Sequence, residues 1–529
     1  MRVLTVEQMR AADRAVIGDS SLMGMVLMNR AGAMVARVVE TIAGLRRTRH
    51  VVLIAGHGNN GGDACVAARC LFEDGYNVQV IMICVPAVLK GDARAAWDEM
   101  RTAGVPYVVL ASPESWDEDL AVVSGSLLRH GVIVDGVLGT GCKGAPTGAA
   151  ERAIQWINAM RRYALVVSAD LPSGMNGDTG EVAGEVVRAD MTVTFARPKR
   201  CFLSQTGARY VGHLVVADIG IPDEVCDKDA EAESAQVIAA PELAGWLAPR
   251  AHTAHKGDFG HVCVIGGAAG LAHAPVLAAL GAVRGGAGLV TLAVPEQSLA
   301  AAAAHVPEAM PHVITTERGV LSAEALQQWR GDLSDFDVVV AGPGMTVSNA
   351  TRDIVLRLLV SYKGRLLLDA DGLNVLADLR AEGAWQPQET QNLVLTPHPG
   401  EAARLLGLSV AEVQADRMSA VRRLADTYQA VTALKGAGTL VCEPGGVPWL
   451  NLTGNPGMAS GGVGDVLAGI AGALWARCGL TAFQAVCAAV WAHGTAGDLA
   501  AFKVGQTALC ATELVRHLPE AWQAVGTNL

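Results

Sequence analysis

Four segments of the chain bring carboxylates, amides and freely bending backbone together. The first is GHGNNGGDA, residues 56–64, in which Asn59, Asn60, Gly61, Gly62 and Asp63 follow an apolar run. Glycines there let the backbone curl, and a helix opening at that point offers amides to a phosphate. In VDGVLGTGCKGAP, Asp135 ends an apolar run and Lys143 lies in a glycine-rich loop; in SADLPSGMNGD, Asp170 ends another and Ser173 follows Pro172. The fourth is GNPGMASGGVGDVLAG, residues 454–469, where Gly461, Gly462, Val463 and Gly464 precede Asp465 and an apolar helix over 466–476. That order predicts an anion hole at a positive helix end with a carboxylate beside it. Such a carboxylate can take the proton of a hydroxyl that attacks a phosphoryl group.

The elements around these segments alternate between short continuous apolar runs and helical stretches. Runs at Val51–Ala55, Val78–Val85, Val105–Leu110, Val132–Val134, Leu165–Ser168, Met191–Phe195 and Leu214–Val216 read as strands buried on both faces, hence a parallel sheet covered by helices. A second series follows at Val262–Ile265, Val290–Val294, Val338–Ala341, Leu366–Leu368, Val394–Thr396, Val431–Leu434 and Thr439–Val441. Between Pro222 and Pro241 the rhythm stops and acidic residues crowd together. The expected organisation is an α/β domain over 1–222, an acidic linker over 223–240 and a second α/β domain over 241–529. Thr5 and Gln8 stand at capping-box spacing for an opening helix.

Composition narrows the function classes. The chain has 529 residues, 51% hydrophobic and 18% charged, which is enough apolar material for two large cores. A net charge of −11 argues against a general binder of nucleic acid or anionic membrane. The 11 cysteines are scattered without a Cys-x-x-Cys pair, which fits reduced thiols and a cytoplasmic setting. The charged N-terminal stretch lacks a signal-peptide core, and the most apolar stretches fall short of the ~18 residues of a membrane span.

The three N-terminal loops together resemble the YjeF N-terminal domain, the NAD(P)H-hydrate epimerase family, over roughly residues 1–222. The resemblance implies a Rossmann-like three-layer sandwich that interconverts the R and S epimers of hydrated NADH and NADPH (NADHX and NADPHX). It puts substrate on Asn59, Asn60, Gly61, Gly62, Asp63, Gly139, Thr140, Gly141, Cys142, Lys143, Gly144, Ala145 and Asp170. It puts a potassium ion on Asn60, Asp135 and Ser173, oxygen donors suited to a hard alkali cation. Epimerisation needs proton transfer, so Asp170 is expected as base with Lys143 as partner, the alternative for Lys143 being a phosphate-binding cation. Ala64 and Asn29 depart from residues usual in the family.

The second half, in the order HKG, GAGL, GPG, DADGLN, TPHPGE, KGAGT, GNPGMA and GGVGD, resembles the ribokinase-like fold and its NAD(P)H-hydrate dehydratase branch over about residues 240–520. By that resemblance Ala287, Gly344, His398 and Asp465 contact the hydrate, while Lys435, Gly436, Ala437, Gly438, Thr439 and Gly464 hold ADP or ATP. Val463 and the GPGMTVSN segment depart from the common pattern. Hydroxide leaves poorly at neutral pH and phosphate leaves well, so a kinase-type site explains the need for a nucleotide, with Mg2+ offsetting its charge. Bacterial members generally use ADP, and a fused chain looks bacterial. The expected partners are these small molecules and further copies of the same chain. The competing readings are a ribokinase-like kinase for a vitamin-precursor alcohol, which leaves the N-terminal half unexplained, and a non-catalytic N-terminal scaffold, against which Asn59, Asn60, Asp135, Asp170 and Ser173 together speak.

Overall fold

The computed structural model describes residues 1–18, 21–118, 131–228, 235–317, 319–322, 333–388, 392–477 and 479–526. The chain divides into two compact units, Met1–Ser234 and Ala235–Leu529. In the first, β1 (His50–Ala55), β2 (Asn77–Met82), β3 (Tyr107–Val109), β4 (Val132–Gly136), β5 (Leu165–Ala169), β6 (Met191–Phe195) and β7 (His213–Ala217) form one sheet in the order β3-β2-β1-β4-β5-β6-β7. Every pairing in it is parallel. Alternate residues of the buried strands feed two cores. Val51, Leu53 and Ala55 face helices Ser21–Arg46, Asn59–Glu73 and Gly91–Thr102, whereas Val52 and Ile54 face Trp116 and the helix Ala149–Met160. This is the expected three-layer sandwich. β1 pairs with β2 on one side and β4 on the other, so the chain reverses direction across the sheet beside β1. Ligands in open α/β sheets bind outside the strand carboxyl ends at such a point.

The second unit carries β8 (Gln236–Ile238), β9 (His261–Ile265), β10 (Leu289–Pro295), β11 (Met310–Ile314), a small hairpin of β12 (Thr316–Glu317) and β13 (Val320–Leu321), β14 (Val338–Ala341), β15 (Arg365–Leu368), β16 (Leu393–Leu395), β17 (Val431–Leu434), β18 (Leu440–Cys442) and β19 (Trp449–Asn451). Its main sheet runs β11-β10-β9-β14-β15-β16-β17-β18-β19-β8, and β9, flanked by β10 and β14, marks a second reversal. The strands from β11 to β17 are parallel, while β18 pairs antiparallel with both neighbours. The helix Val463–Ala476 packs along the helix His273–Arg284 with main chain against main chain. A Cβ on Gly469 would stand 1.8 Å from the Ala278 carbonyl oxygen, and one on Gly281 would stand 2.3 Å from that of Val466.

Two expectations change. Part of the segment expected as a linker over 223–240 is built into the units: Asp223–Asp227 is helical, and β8 adds to β19. A three-residue strand at a sheet edge leaves too short an apolar run to notice. Among the described residues one helix, Leu22–Arg46, is also long and apolar enough to span a membrane by length and composition. Its Leu27, Ala31, Val35, Val39 and Ala43 recur at helical spacing and are buried in the core of the first unit, which accounts for its apolar character.

Candidate active sites

In the first unit, β1 ends in a turn that leads directly into the helix Asn59–Glu73. The turn is tight because Gly61 carries no side chain: a Cβ there would meet the Gly56 carbonyl oxygen at 2.1 Å. This packs Asn60 and Asp63 into the protein while leaving Asn59 exposed. Asp135, the penultimate residue of β4, is fully buried. Its Oδ1 accepts from Ser173 Oγ at 2.5 Å and from the Val137 amide at 3.2 Å; its Oδ2 accepts from Ser168 Oγ at 2.8 Å and from the Ser173 amide at 2.9 Å. Burial still pushes its carboxyl upward, against the pull of the Ser173 bonds. The Leu138 carbonyl accepts from both Asn60 Nδ2 (2.9 Å) and Ser173 Oγ (3.0 Å). Asn60, Asp135 and Ser173 therefore converge. The buried Asn60 Oδ1 has no hydrogen-bond partner among the described residues, an oxygen whose desolvation an alkali cation would offset.

Asp170 follows β5 with a positive φ of 61°, a conformation that turns its carboxylate into the crevice rather than along the strand. Its Oδ1 accepts from Lys199 Nζ at 2.5 Å and from Thr194 Oγ1 at 3.1 Å. Lys199 is buried and also donates to Thr194 Oγ1 and the Phe195 carbonyl. Its backbone is bridged to Leu4, with the Leu4 amide donating to Pro198 O and the Arg200 amide to Leu4 O. The cation beside Asp170 is thus Lys199 and not the expected Lys143. Lys143 is exposed in the 139–145 loop instead, because that loop projects beyond β4. The expected capping box of Thr5 and Gln8 opens the helix Val6–Ile17. Arg10 on that helix donates to the Thr140 carbonyl, and burial, with Asp170 nearby, raises Asp13 to about 6 against the pull of Lys199. Burial also raises Asp63 well above its ordinary value. Lys199 and Asp13 were missed by motif reading. Of the family departures, Asn29 accepts from Arg69, and Ala64 packs on Gly136.

In the second unit the expected nucleotide segment, Lys435, Gly436, Ala437, Gly438 and Thr439, forms the turn between β17 and β18. The buried Arg417, which sequence reading also missed, pins this turn by donating to the carbonyls of Leu434 (3.1 Å) and Gly438 (3.1 Å). Lys435 Nζ lies 2.7 Å from Asp369 Oδ1 and 4.0 Å from Glu401 Oε2. It also lies within 3.3 Å of a Cβ position at Gly464, so the turn meets the helix that starts at Val463. Asp465 is in the first turn of that helix. Burial, with Asp369 nearby, raises it to about 7 against the pull of Lys435. Burial likewise raises Glu401 to about 7. His398 caps the helix Pro399–Leu406, its Nδ1 accepting from the Gly400 and Glu401 amides.

Two further helices complete the frame. The Asp371 carboxylate accepts from the Thr346 amide at 2.8 Å, which fixes the GPGMT turn holding Gly344. On the helix Ala482–Val504, Asp498 accepts from the Gly454 amide and from Asn455 Nδ2, both at 2.9 Å, and His493 bonds the Val463 carbonyl at 2.9 Å. That helix thereby grips both ends of the loop 454–463. Burial lowers His493 to about 4, so it is neutral there.

Ala287 does not join the other expected hydrate residues. It precedes β10, and the adjacent Gly288 amide bonds the carbonyls of Phe259 and Gly260. Gly260 in turn packs on Ala476. Ala476 and Asp465 occupy opposite ends of one helix, roughly 16 Å apart at 1.5 Å per residue. The neighbours of Gly344 are Leu271 and Ala274. Glycine-rich turns look alike before and after a strand, and only the direction of β10 separates them. Among the described residues no three histidine, cysteine or carboxylate groups converge as a metal site.

A family model described as NAD(P)H-hydrate dehydratase matches residues 262–520, and one described as YjeF-related protein N-terminus matches residues 24–201. The chain is 39% identical over 526 residues to the bifunctional NAD(P)H-hydrate repair enzyme Nnr of Moorella thermoacetica, covering 98% of this chain and 96% of that one. It is 35% identical over 512 residues to the enzyme of the same name from Escherichia coli, covering 97% and 92%. The crystal structure of the ADP/ATP-dependent NAD(P)H-hydrate dehydratase of Bacillus subtilis, co-crystallised with ATP and Mg2+, is 28% identical with a TM-score of 0.49, covering 55% of this chain and 99% of that one.

Proposed function

Because the chain belongs to the family of bifunctional NAD(P)H-hydrate repair enzymes, we propose that it restores hydrated NADH and NADPH in two steps, one in each unit. The first unit exchanges the R and S epimers. Asp170, held by Lys199, takes and returns a proton as the hydrated ring carbon opens and recloses. A potassium ion fits the donor set of Asn60 Oδ1, Asp135 and Ser173, and would supply a fixed positive charge beside the substrate phosphates. Asn59 to Asp63 and Gly139 to Ala145 bind the hydrate around this centre.

The second unit dehydrates the S epimer at the expense of a nucleotide, with ADP favoured over ATP. Asp465 takes the proton of the ring hydroxyl, whose oxygen attacks the terminal phosphoryl group of the nucleotide. The ring nitrogen then expels phosphate, and loss of a ring proton regenerates the dihydronicotinamide. Lys435 and the amides from Gly436 to Thr439 and at Gly464 hold the nucleotide phosphates; Gly344 and His398 border the hydrate. Mg2+ bound mainly by phosphate and water needs only one or two protein carboxylates, and Glu401, 4.0 Å from Lys435 Nζ, would be one of them. The observation that carries this reading is the placement of Asp465 against Lys435 at the start of the helix Val463–Ala476. The protein acts as a homo-oligomer in the cytoplasm. Purified protein supplied with mixed NADHX epimers should recover the NADH absorbance fully with ADP and not at all without it. Recovery of half the hydrate only would remove the epimerase step.

A further inference from the structure

A cavity of about 570 Å³ opens in the first unit between the 139–145 loop, the segment 174–183 and the helix Gln205–Val211. Its walls include Lys143, Gly144, Gly174, Glu181, Thr206 and Tyr210. That volume lies within the ~300–1,000 Å³ usual for small-molecule sites. Both loops that build the catalytic centre run on into this cavity. One begins at Gly139, against Asn60, and reaches the cavity at Cys142 to Gly144. The other carries Asp170 and Ser173 in the centre and reaches the cavity at Gly174. The same two loops thus line the cavity and build the centre. The chemistry changes along that path, from buried carboxylates and Lys199 to an exposed ammonium, the exposed Glu181 carboxylate, glycine backbone and an aromatic ring. Lys143 is exposed and has no ion-pair partner among the described residues, and the Arg188 guanidinium stands 5.6 Å from the Tyr210 ring centroid, adding a second cation.

We propose that this cavity receives the adenylate half of the hydrated dinucleotide, a placement that rests on the epimerase reading of this unit. Lys143 and the glycine amides meet phosphate, Tyr210 offers a flat face to the purine, and the nicotinamide end reaches Asp170. Stacking on an aromatic ring is tolerant of the base and strong enough to read by substitution. The test follows R/S exchange by chromatography in nucleotide-free buffer, using the full chain, with AMP as competing probe. AMP should inhibit exchange competitively. In Tyr210→Ala both the KM for the hydrate and the inhibition constant of AMP should rise about tenfold, with kcat within twofold, and Tyr210→Phe should keep wild-type values. Lys143→Ala should raise KM in the same way. Unchanged KM and AMP inhibition in a folded Tyr210→Ala protein overturn the cavity assignment and leave the epimerase intact. Absence of exchange in the unsubstituted chain overturns the epimerase reading, and this proposal with it.

Discussion

Lys199 Nζ lies 2.5 Å from Asp170 Oδ1, with the lysine side chain 2% exposed and the aspartate 13%. Two charges so far from water hold one another in place, and removing either leaves the other uncompensated. Lys199→Met should slow epimer exchange by at least ~10²-fold, the usual contribution of a positioned acid or base. Asp170→Asn should do the same. Each single variant should also melt earlier; the double variant should regain stability without regaining exchange. Lys143→Met should leave kcat intact, and loss of turnover there with a functional Lys199→Met protein would return the partner role to Lys143.

Potassium dependence is expected of the first unit alone. Asn60 Oδ1 has no hydrogen-bond partner among the described residues, and Asp135 and Ser173 offer only oxygen donors beside it. Replacing K+ by tetramethylammonium should depress exchange severalfold while ADP-dependent recovery of NADH from pure S epimer stays level. Equal exchange rates in the two salts would remove the ion.

The two activities should separate at Asp465. Asparagine keeps the shape and removes the proton acceptor, so Asp465→Asn should abolish NADH recovery from the S epimer. R/S exchange, measured on the same preparation, should run at the wild-type rate. Loss of both in a folded protein would contradict two independent centres.

The pH dependence follows from the raised carboxyls. Asp465 is shifted from 3.8 to about 7 and Glu401 from 4.5 to about 7, in both cases by burial first. The folded state therefore binds protons that the unfolded chain releases near pH 4. Their stabilisation is complete below that pH and is lost as pH rises through about 7. The melting temperature of the ligand-free second unit should decline between pH 5 and pH 7.5, and Asp465→Asn should flatten the decline. The dehydration rate should instead rise with pH up to a limb near 7, because the base works ionised. A rate that is level between pH 5 and pH 8 contradicts the assignment.

Asp498 should matter without touching substrate. Its two oxygens hold the Gly454 amide and the Asn455 side chain, and asparagine can accept at only one of those positions. Asp498→Asn should raise the KM for nucleotide about tenfold and lower kcat less. An equal KM in calorimetrically folded protein would make the contact purely structural.

How far the sequence leads depends on where chemistry sits relative to the strands. Asn60, Asp135, Asp170 and Ser173 are legible because each lies in or beside a glycine-rich stretch where an apolar run ends. Lys199 follows β6, 29 residues after Asp170, and reaches it only because β5 and β6 pair in parallel with Val167 opposite Met191. Nothing in ARPKRC marks that adjacency except a lysine one strand over. Asp13 arrives from an opening helix that reads simply as amphipathic, and Arg417 from another. The Ala287 expectation failed for the converse reason: GGAGL has the right residues at the wrong end of its strand. The short strands β8 and β19 have three residues each, and edge pairing rather than pattern defines them.

The contact of Gly469 with Ala278 also bears on how this chain can drift over generations. Along Val463–Ala476 most positions carry small apolar side chains packed in the core. Positions 469 and 281 are closed to even one added carbon, because the obstacle is main chain and cannot rotate aside. A methyl group there would lever the helix outward and carry Asp465 with it, about one helical turn from Gly469. Replacements that look mildest in this half of the protein are therefore among those it can least absorb, at a position that never meets a ligand.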